Sequence, residues 1–168
     1  MPPLFAGRHN VTAIPAANSQ LALAHFERLL GFETDCWDVH VAIESGDREF
    51  VLLDVRSPEL FEAGHIPTAV NLPHRRINQR NLAKLPKDTL FVVYCGGPHC
   101  NGADQAAIRL ARLGVPVKKM IGGIEGWKDE GFALEAEVGA DANLVSSWTV
   151  GEKARNSDPG TNSSVRIP

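Results

Sequence analysis

Two short runs of the chain are apolar at nearly every position, residues 50–54 (FVLLD) and 91–94 (FVVY). Runs of this length, rich in β-branched and aromatic side chains, suit strands buried on both faces of a parallel sheet. Residues 69–72 and 115–121 carry further strands, and residues 32–35 a short edge strand. Helical spacing appears in between. Residues 19–30 place Leu23, Phe26, Leu29 and Leu30 at a 3.6-residue period, with Ser19 able to cap the start and Gly31 the end, which predicts an amphipathic helix packed on the domain. Ala103, Ala106, Ala107, Leu110 and Leu113 repeat that spacing, closed by Gly114. Ser57 ahead of Pro58 and Glu59 opens a short helix that Gly64 ends. Residues 77–85 form another, ending before Pro86, and a last one lies around Ile124, Trp127 and Phe132, with Gly126 and Gly131 as turns. Residues 37–45 fit both periods, since Val39, Val41 and Ile43 alternate while Trp37 and Val41 are four apart. Strands alternating with helices predict an α/β fold with a mostly parallel five-stranded sheet and helices on both faces.

The strand at 91–94 runs into Cys95 and then Gly96-Gly97-Pro98, which cannot continue a strand and forces a tight loop. After His99 and Cys100, Asn101 is a favoured helix N-cap, and Asp104 falls in the first turn of the helix that follows. Strand, cysteine loop and helix together direct backbone N–H groups and the positive end of the helix dipole at one sulfur. Such a setting favours thiolate and binds a small anion.

The spaced set Leu52-Leu53-Asp54-Val55-Arg56, Glu59, Gly64-His65-Ile66-Pro67-Thr68-Ala69, Val92-Val93-Tyr94-Cys95 and Gly122-Gly123 with Trp127 resembles the rhodanese (sulfurtransferase) family, over roughly residues 35 to 135. The resemblance implies a rhodanese-like open sheet, makes residues 37–45 a helix, and gives Cys95 the role of accepting a sulfane sulfur as a persulfide. It implies Gly96, Gly97, Pro98, His99, Cys100 and Asn101 as the substrate loop. Its expected partners are a small sulfur-containing anion or persulfide donor and a thiol or cyanide acceptor, with no cofactor. Pro98 stands where the family frequently has glycine, and Cys100 where it has arginine or another polar residue.

Asp54 and Arg56 lie at the C-terminal end of a predicted strand, on the sheet edge that carries Cys95, where sites collect in open α/β sheets. A structural ion-pair network with Glu59 is favoured over direct catalysis, because a carboxylate near the nucleophile would oppose thiolate formation. His65 reads as a hydrogen-bonded structural residue rather than a general base, and Trp127 as a core anchor. His74, Arg75, Arg76 and Arg80 are the one local basic concentration, and a solvated face is favoured there over steering of an anion. For Cys100 three roles stay open: a small buried hydrophobe, an auxiliary sulfur-binding group, or a resolving thiol for Cys95.

With 43% hydrophobic and 22% charged residues and a net charge of −3, the 168-residue chain can bury a core and lacks the basic stripe of a nucleic-acid binder. No apolar run reaches membrane-span length and no signal-peptide pattern opens the chain, so no membrane contact and a cytoplasmic location are expected. Three cysteines without framework spacing fit a reducing compartment. Phosphatase or arsenate-reductase chemistry is disfavoured, because the segment from Cys95 to Cys100 is six residues and contains no arginine to clamp an oxyanion. Cys95, His99 and Cys100 are too crowded for usual zinc spacing, so no metal is expected. A rhodanese-like binding or regulatory module with an idle site is the alternative function. No internal repeat appears, which points to the single-domain type. The expected divisions are an irregular lead-in (1–18), a helical extension (19–34), the rhodanese-like domain (35–135) and a C-terminal extension (136–168) whose end has a disordered composition.

Overall fold

The apolar runs pair at the centre of the sheet. Strand β2 (Phe50–Asp54) lies parallel to β4 (Leu90–Tyr94) in the register Phe50↔Leu90 to Asp54↔Tyr94. The computed structural model describes residues 10–46, 49–86 and 89–136. In it β5 (Val117–Met120) joins the far side of β4, β1 (Glu33–Thr34) forms the edge beyond β5, and β3 (Val70–Asn71) lies beside β2. All four pairings are parallel, giving the order β1-β5-β4-β2-β3. The fold is therefore the α/β architecture expected.

Period-2 alternation along the central strands divides the core into two layers. Val51, Leu53, Val55, Phe91, Val93 and Cys95 pack on one face against Ala103, Ala106 and Leu110 of the helix at Gly102–Arg112. Leu52, Val92 and Tyr94 pack on the other with Cys36, Val39, Ile124 and Trp127. In chain order the α-helices are α1 (Asn10–Ala13), α2 (Ser19–Phe32), α3 (Cys36–Glu44), α4 (Pro58–Ala63), α5 (Gln79–Leu82), α6 (Gly102–Arg112) and α7 (Gly123–Asp129), with a 3-10 turn at His74–Arg76. The ambiguous segment 37–45 thus belongs to helix α3, which ends at Glu44 and is capped at its start by the Asp35 carboxylate, which accepts from the Asp38 amide at 2.8 Å. Trp127 is 1% exposed and donates its indole N–H to the Ala133 carbonyl at 2.9 Å, as a core anchor would.

Several expectations are corrected. Helix α2 is capped by Asn18, whose side chain accepts from the Leu21 amide, rather than by Ser19, and it runs through Gly31 to Phe32. Of its apolar stripe only Leu29 is half-buried: Leu23, Phe26 and Leu30 are 60%, 61% and 71% exposed. The two half-buried residues, Ala22 and Leu29, lie about 20° apart at one edge of that stripe, at 3.6 residues per turn. Leu113 caps α6 and is half-exposed rather than buried. The helix expected over 77–85 shortens to α5, because Asn78 restarts the chain as a cap, accepting from the Asn81 amide at 3.0 Å. Strand β5 starts only at Val117, since the Val115 amide closes α6 on the Leu110 carbonyl and Pro116 has no N–H to give. Gly126 is no turn. It lies inside α7, where a Cβ would come within 3.3 Å of Cys36 Sγ. The tail from residue 137 and residues 1–9 lie outside the described residues. Among the described residues no helix is long and apolar enough to cross a membrane.

Candidate active site

Strand β4 ends at Tyr94, and the alternation that sends Tyr94 to one layer sends Cys95 to the other, toward α6. The loop after Cys95 is held from below by the start of α7: the Ile124 amide donates to the Cys95 carbonyl and the Glu125 amide to the Gly96 carbonyl, both at 3.0 Å. This seat requires Gly123. Its φ is +61°, and a Cβ there would lie 2.5 Å from the Cys95 carbonyl oxygen and 3.0 Å from the Gly97 nitrogen. Gly123→Ala is expected to lose roughly 1–3 kcal/mol of stability by overpacking, as read by urea denaturation.

The loop then turns back. The Cys100 amide donates to the Gly97 carbonyl at 3.0 Å, and a disulfide joins Cys95 to Cys100 with their Cα atoms 6.3 Å apart. Gly102 makes room for the sulfurs, since a Cβ there would lie 2.8 Å from Cys95 Sγ and 3.3 Å from Cys100 Sγ. A cleft of about 210 Å³ opens over the pair, lined by Cys95, Gly97, Pro98, Cys100, Ala103, Asp104 and residues 119–123 at the end of β5.

The chain matches the family model described as Rhodanese-like domain over residues 38–130. It belongs to the rhodanese-like domain family. Among curated relatives it is 38% identical over 80 residues to a thiosulfate sulfurtransferase, GlpE, of Pseudomonas syringae, covering 46% of this chain and 72% of that one. It is 37% identical over 97 residues to a sulfurtransferase of Allochromatium vinosum, covering 55% of this chain and 86% of that one. It is 40% identical over 88 residues, 52% of its length, to the HTH-type transcriptional regulator Rv0324 of Mycobacterium tuberculosis, of which it spans only 38%. Among solved structures the BH2092 protein of Bacillus halodurans superposes with a TM-score of 0.70 at 40% identity, over 76% of this chain and 93% of that one.

In this rhodanese-like domain the expected site residues divide into two groups. Cys95, Gly97, Pro98 and Cys100 border the cleft, whereas Gly96, His99 and Asn101 do not, and the last two are exposed. Asp54, Arg56 and His65 lie outside it. Arg56 donates to Asp54 Oδ2 at 2.6 Å and to the Gly64 carbonyl at 2.7 Å, and its guanidinium stands 6.0 Å from the centre of the Tyr94 ring. Tyr94 lies in register with Asp54, and its hydroxyl accepts from the Ile66 amide at 3.1 Å. Burial first, then the Asp54 charge, push the Tyr94 phenol far up, so it stays protonated. The Asp54–Arg56 pair thus ties β2, β4 and the Gly64–Ile66 segment together beneath the loop.

The expected third member, Glu59, takes no part in that pair. It is exposed, and its carboxyl is drawn below its usual value first by a hydrogen bond with Ser57. His65 is buried, with Nδ1 2.9 Å from the Phe61 carbonyl and its ring stacked on Phe61. Its backbone exchanges two hydrogen bonds with Glu135, which fixes the chain after α7.

Sequence reasoning missed Lys119 and Asp104 as cleft residues. Lys119 Nζ lies 3.0 Å from Asp104 Oδ1 and 3.3 Å from Glu33 Oε1, and the Asp104 hydrogen bond, ahead of other effects, raises its pKa. Their only signal in the sequence is the position of Lys119 near the C-terminal end of a predicted strand, where α/β sites gather. One cation shared by two carboxylates leaves the rim with little attraction for an anion. Asp104→Asn is therefore expected to tighten the binding of a small divalent anion such as sulfate about two- to fivefold, the size of one exposed pair, and less so at high salt. An unchanged affinity would show that Lys119 does not meet the anion.

Cys36, the free cysteine, is buried with its thiol 3.4 Å from the Ile121 carbonyl. Burial first, then Asp35, Glu130 and Asp129, push this thiol up to about 11. Below that pH it stays protonated and unreactive. Iodoacetamide at pH 8 should accordingly alkylate two thiols of the reduced native protein and the third only after unfolding, as counted by intact mass.

Proposed function

We propose that this rhodanese-like domain is a sulfurtransferase that moves a sulfane sulfur from thiosulfate or a persulfide donor to a thiol or cyanide through a Cys95 persulfide. The observation that carries the reading is the setting of Cys95: it directly follows a central strand, borders the cleft, and faces the N-terminal end of α6. The sulfurtransferase relatives support it. With the disulfide reduced, the Cys95 thiolate attacks the outer sulfur of thiosulfate, the S–S bond breaks, and sulfite leaves with its electron pair. The Gly96 and Gly97 amides have no acceptor among the described residues, which leaves them available to the sulfur anion. An acceptor nucleophile then takes the outer sulfur and frees Cys95. Neither half-reaction needs a cofactor.

The test is thiosulfate:cyanide turnover of the pre-reduced protein, with thiocyanate and sulfite measured. Parallel double-reciprocal lines, the sign of a ping-pong mechanism, are expected. Absence of thiocyanate above the protein-free rate would overturn the reading. It would favour a regulatory or binding module, the reading to which the transcriptional-regulator relative and the closed Cys95–Cys100 pair point.

A further inference from the structure

Cys100 is unused by the two half-reactions above, yet its sulfur is bonded to the atom that would carry the persulfide. Resting on the sulfur-transfer reading of Cys95, we propose a further activity: Cys100 discharges the Cys95 persulfide within the protein, releasing hydrosulfide, so that the domain reduces sulfane sulfur at the expense of an external dithiol.

The geometry supplies each part of the step. The turn closed by the Cys100 amide on the Gly97 carbonyl brings the two Cα atoms to 6.3 Å, within the 4.4–6.8 Å that a disulfide spans. Gly102 leaves open the space between the two sulfurs and the start of α6. Both cysteines border the same cleft, so the attacking thiol is in place before any acceptor enters.

In the first step Cys95–S⁻, thiosulfate and a proton give Cys95–S–SH and sulfite. In the second, the electron pair of the Cys100 thiolate forms the Sγ–Sγ bond to the inner sulfur of the persulfide. The bond from that sulfur to the outer one breaks, and its electrons leave as HS⁻. The outer sulfur is reduced by two electrons, and the cysteine pair is oxidised by two. The protein then stands in the disulfide form seen in the structure. A dithiol of the external reductant class opens the bond by thiol–disulfide exchange, leaving two cysteine thiols and its own disulfide. The sum is thiosulfate plus dithiol giving hydrogen sulfite, hydrosulfide and the oxidised dithiol.

This scheme predicts where the sulfur ends in a single turnover without added acceptor. Reduced full-length protein, freed of reductant under anaerobic conditions, is mixed with one equivalent of thiosulfate. Wild type should yield one equivalent each of sulfite and sulfide and lose about 2 Da relative to the reduced chain, the mark of an intramolecular disulfide. Cys100→Ser and Cys100→Ala should release sulfite, at whatever rate, yet produce no sulfide and retain about 32 Da, one sulfur atom held as the covalent intermediate. Two results overturn the proposal while leaving the sulfurtransferase reading intact: wild type that releases sulfite and keeps the added sulfur, or variants that release sulfide like wild type. Sulfite from none of the proteins would remove both.

Discussion

Serine in place of Cys95 is expected to lower thiosulfate:cyanide turnover of the reduced protein by at least about 10³-fold, the scale on which an essential nucleophile is lost. The change is close to isosteric, so its effect lies on nucleophilicity rather than on the loop. Cys95 is held by its carbonyl to Ile124 and by its neighbours in the layer under α6, contacts that serine retains. The cause of the loss is that a hydroxyl at this position has no base poised against it among the described residues: His99 of the same loop is exposed and does not border the cleft, and His65 is turned to Phe61 and Glu135. A folded Cys95→Ser protein that keeps more than a tenth of the activity would place the chemistry elsewhere.

The largest effect on stability is expected at Asp54. Its side chain is fully buried, and the Arg56 side chain that pairs with it is 8% exposed. Asp54→Ala leaves a guanidinium in a low-dielectric site with the Gly64 carbonyl still accepting from it but no carboxylate beside it, and should cost about 3–5 kcal/mol in urea denaturation, the penalty of an uncompensated buried charge. Replacing Arg56 by Met at the same time should recover part of that loss, because the orphan charge is gone. A single-variant loss below about 1 kcal/mol, the size of an exposed pair, would mean that the pair does not hold β2 to the Gly64–Ile66 segment.

Much of the fold was legible because its strands are short and continuously apolar. FVLLD and FVVY can be satisfied only by burial on both faces, and that requirement places them at the centre of a parallel sheet. The same alternation, carried one residue past Tyr94, puts Cys95 against α6. Helix α2 was legible as a helix and not in its packing. A stripe such as Leu23, Phe26 and Leu30 states that a surface is apolar, and which flank meets the sheet is decided by how the helix enters β1. Gly126 misled for a related reason, since a glycine needed to admit the Cys36 sulfur looks in sequence like one needed for a turn.

The cleft itself was half legible. Cys95, Gly97, Pro98 and Cys100 are one segment, and local rules reach them. Lys119 and Asp104 meet across the gap between β5 and the first turn of α6, which only the tertiary fold brings together. The spacing of Cys95 and Cys100 admits three roles for Cys100, and a loop that returns its own chain through the Gly97 carbonyl is what makes the sulfurs neighbours.

The central claim is that Cys95 carries the sulfur. It is tested most directly by treating reduced Cys100→Ser protein with thiosulfate and mapping the adduct by peptide mass. A gain of about 32 Da is expected on the peptide containing Cys95, removed by cyanide with formation of thiocyanate. An adduct on the Cys36 peptide, or none on any peptide, would contradict the account.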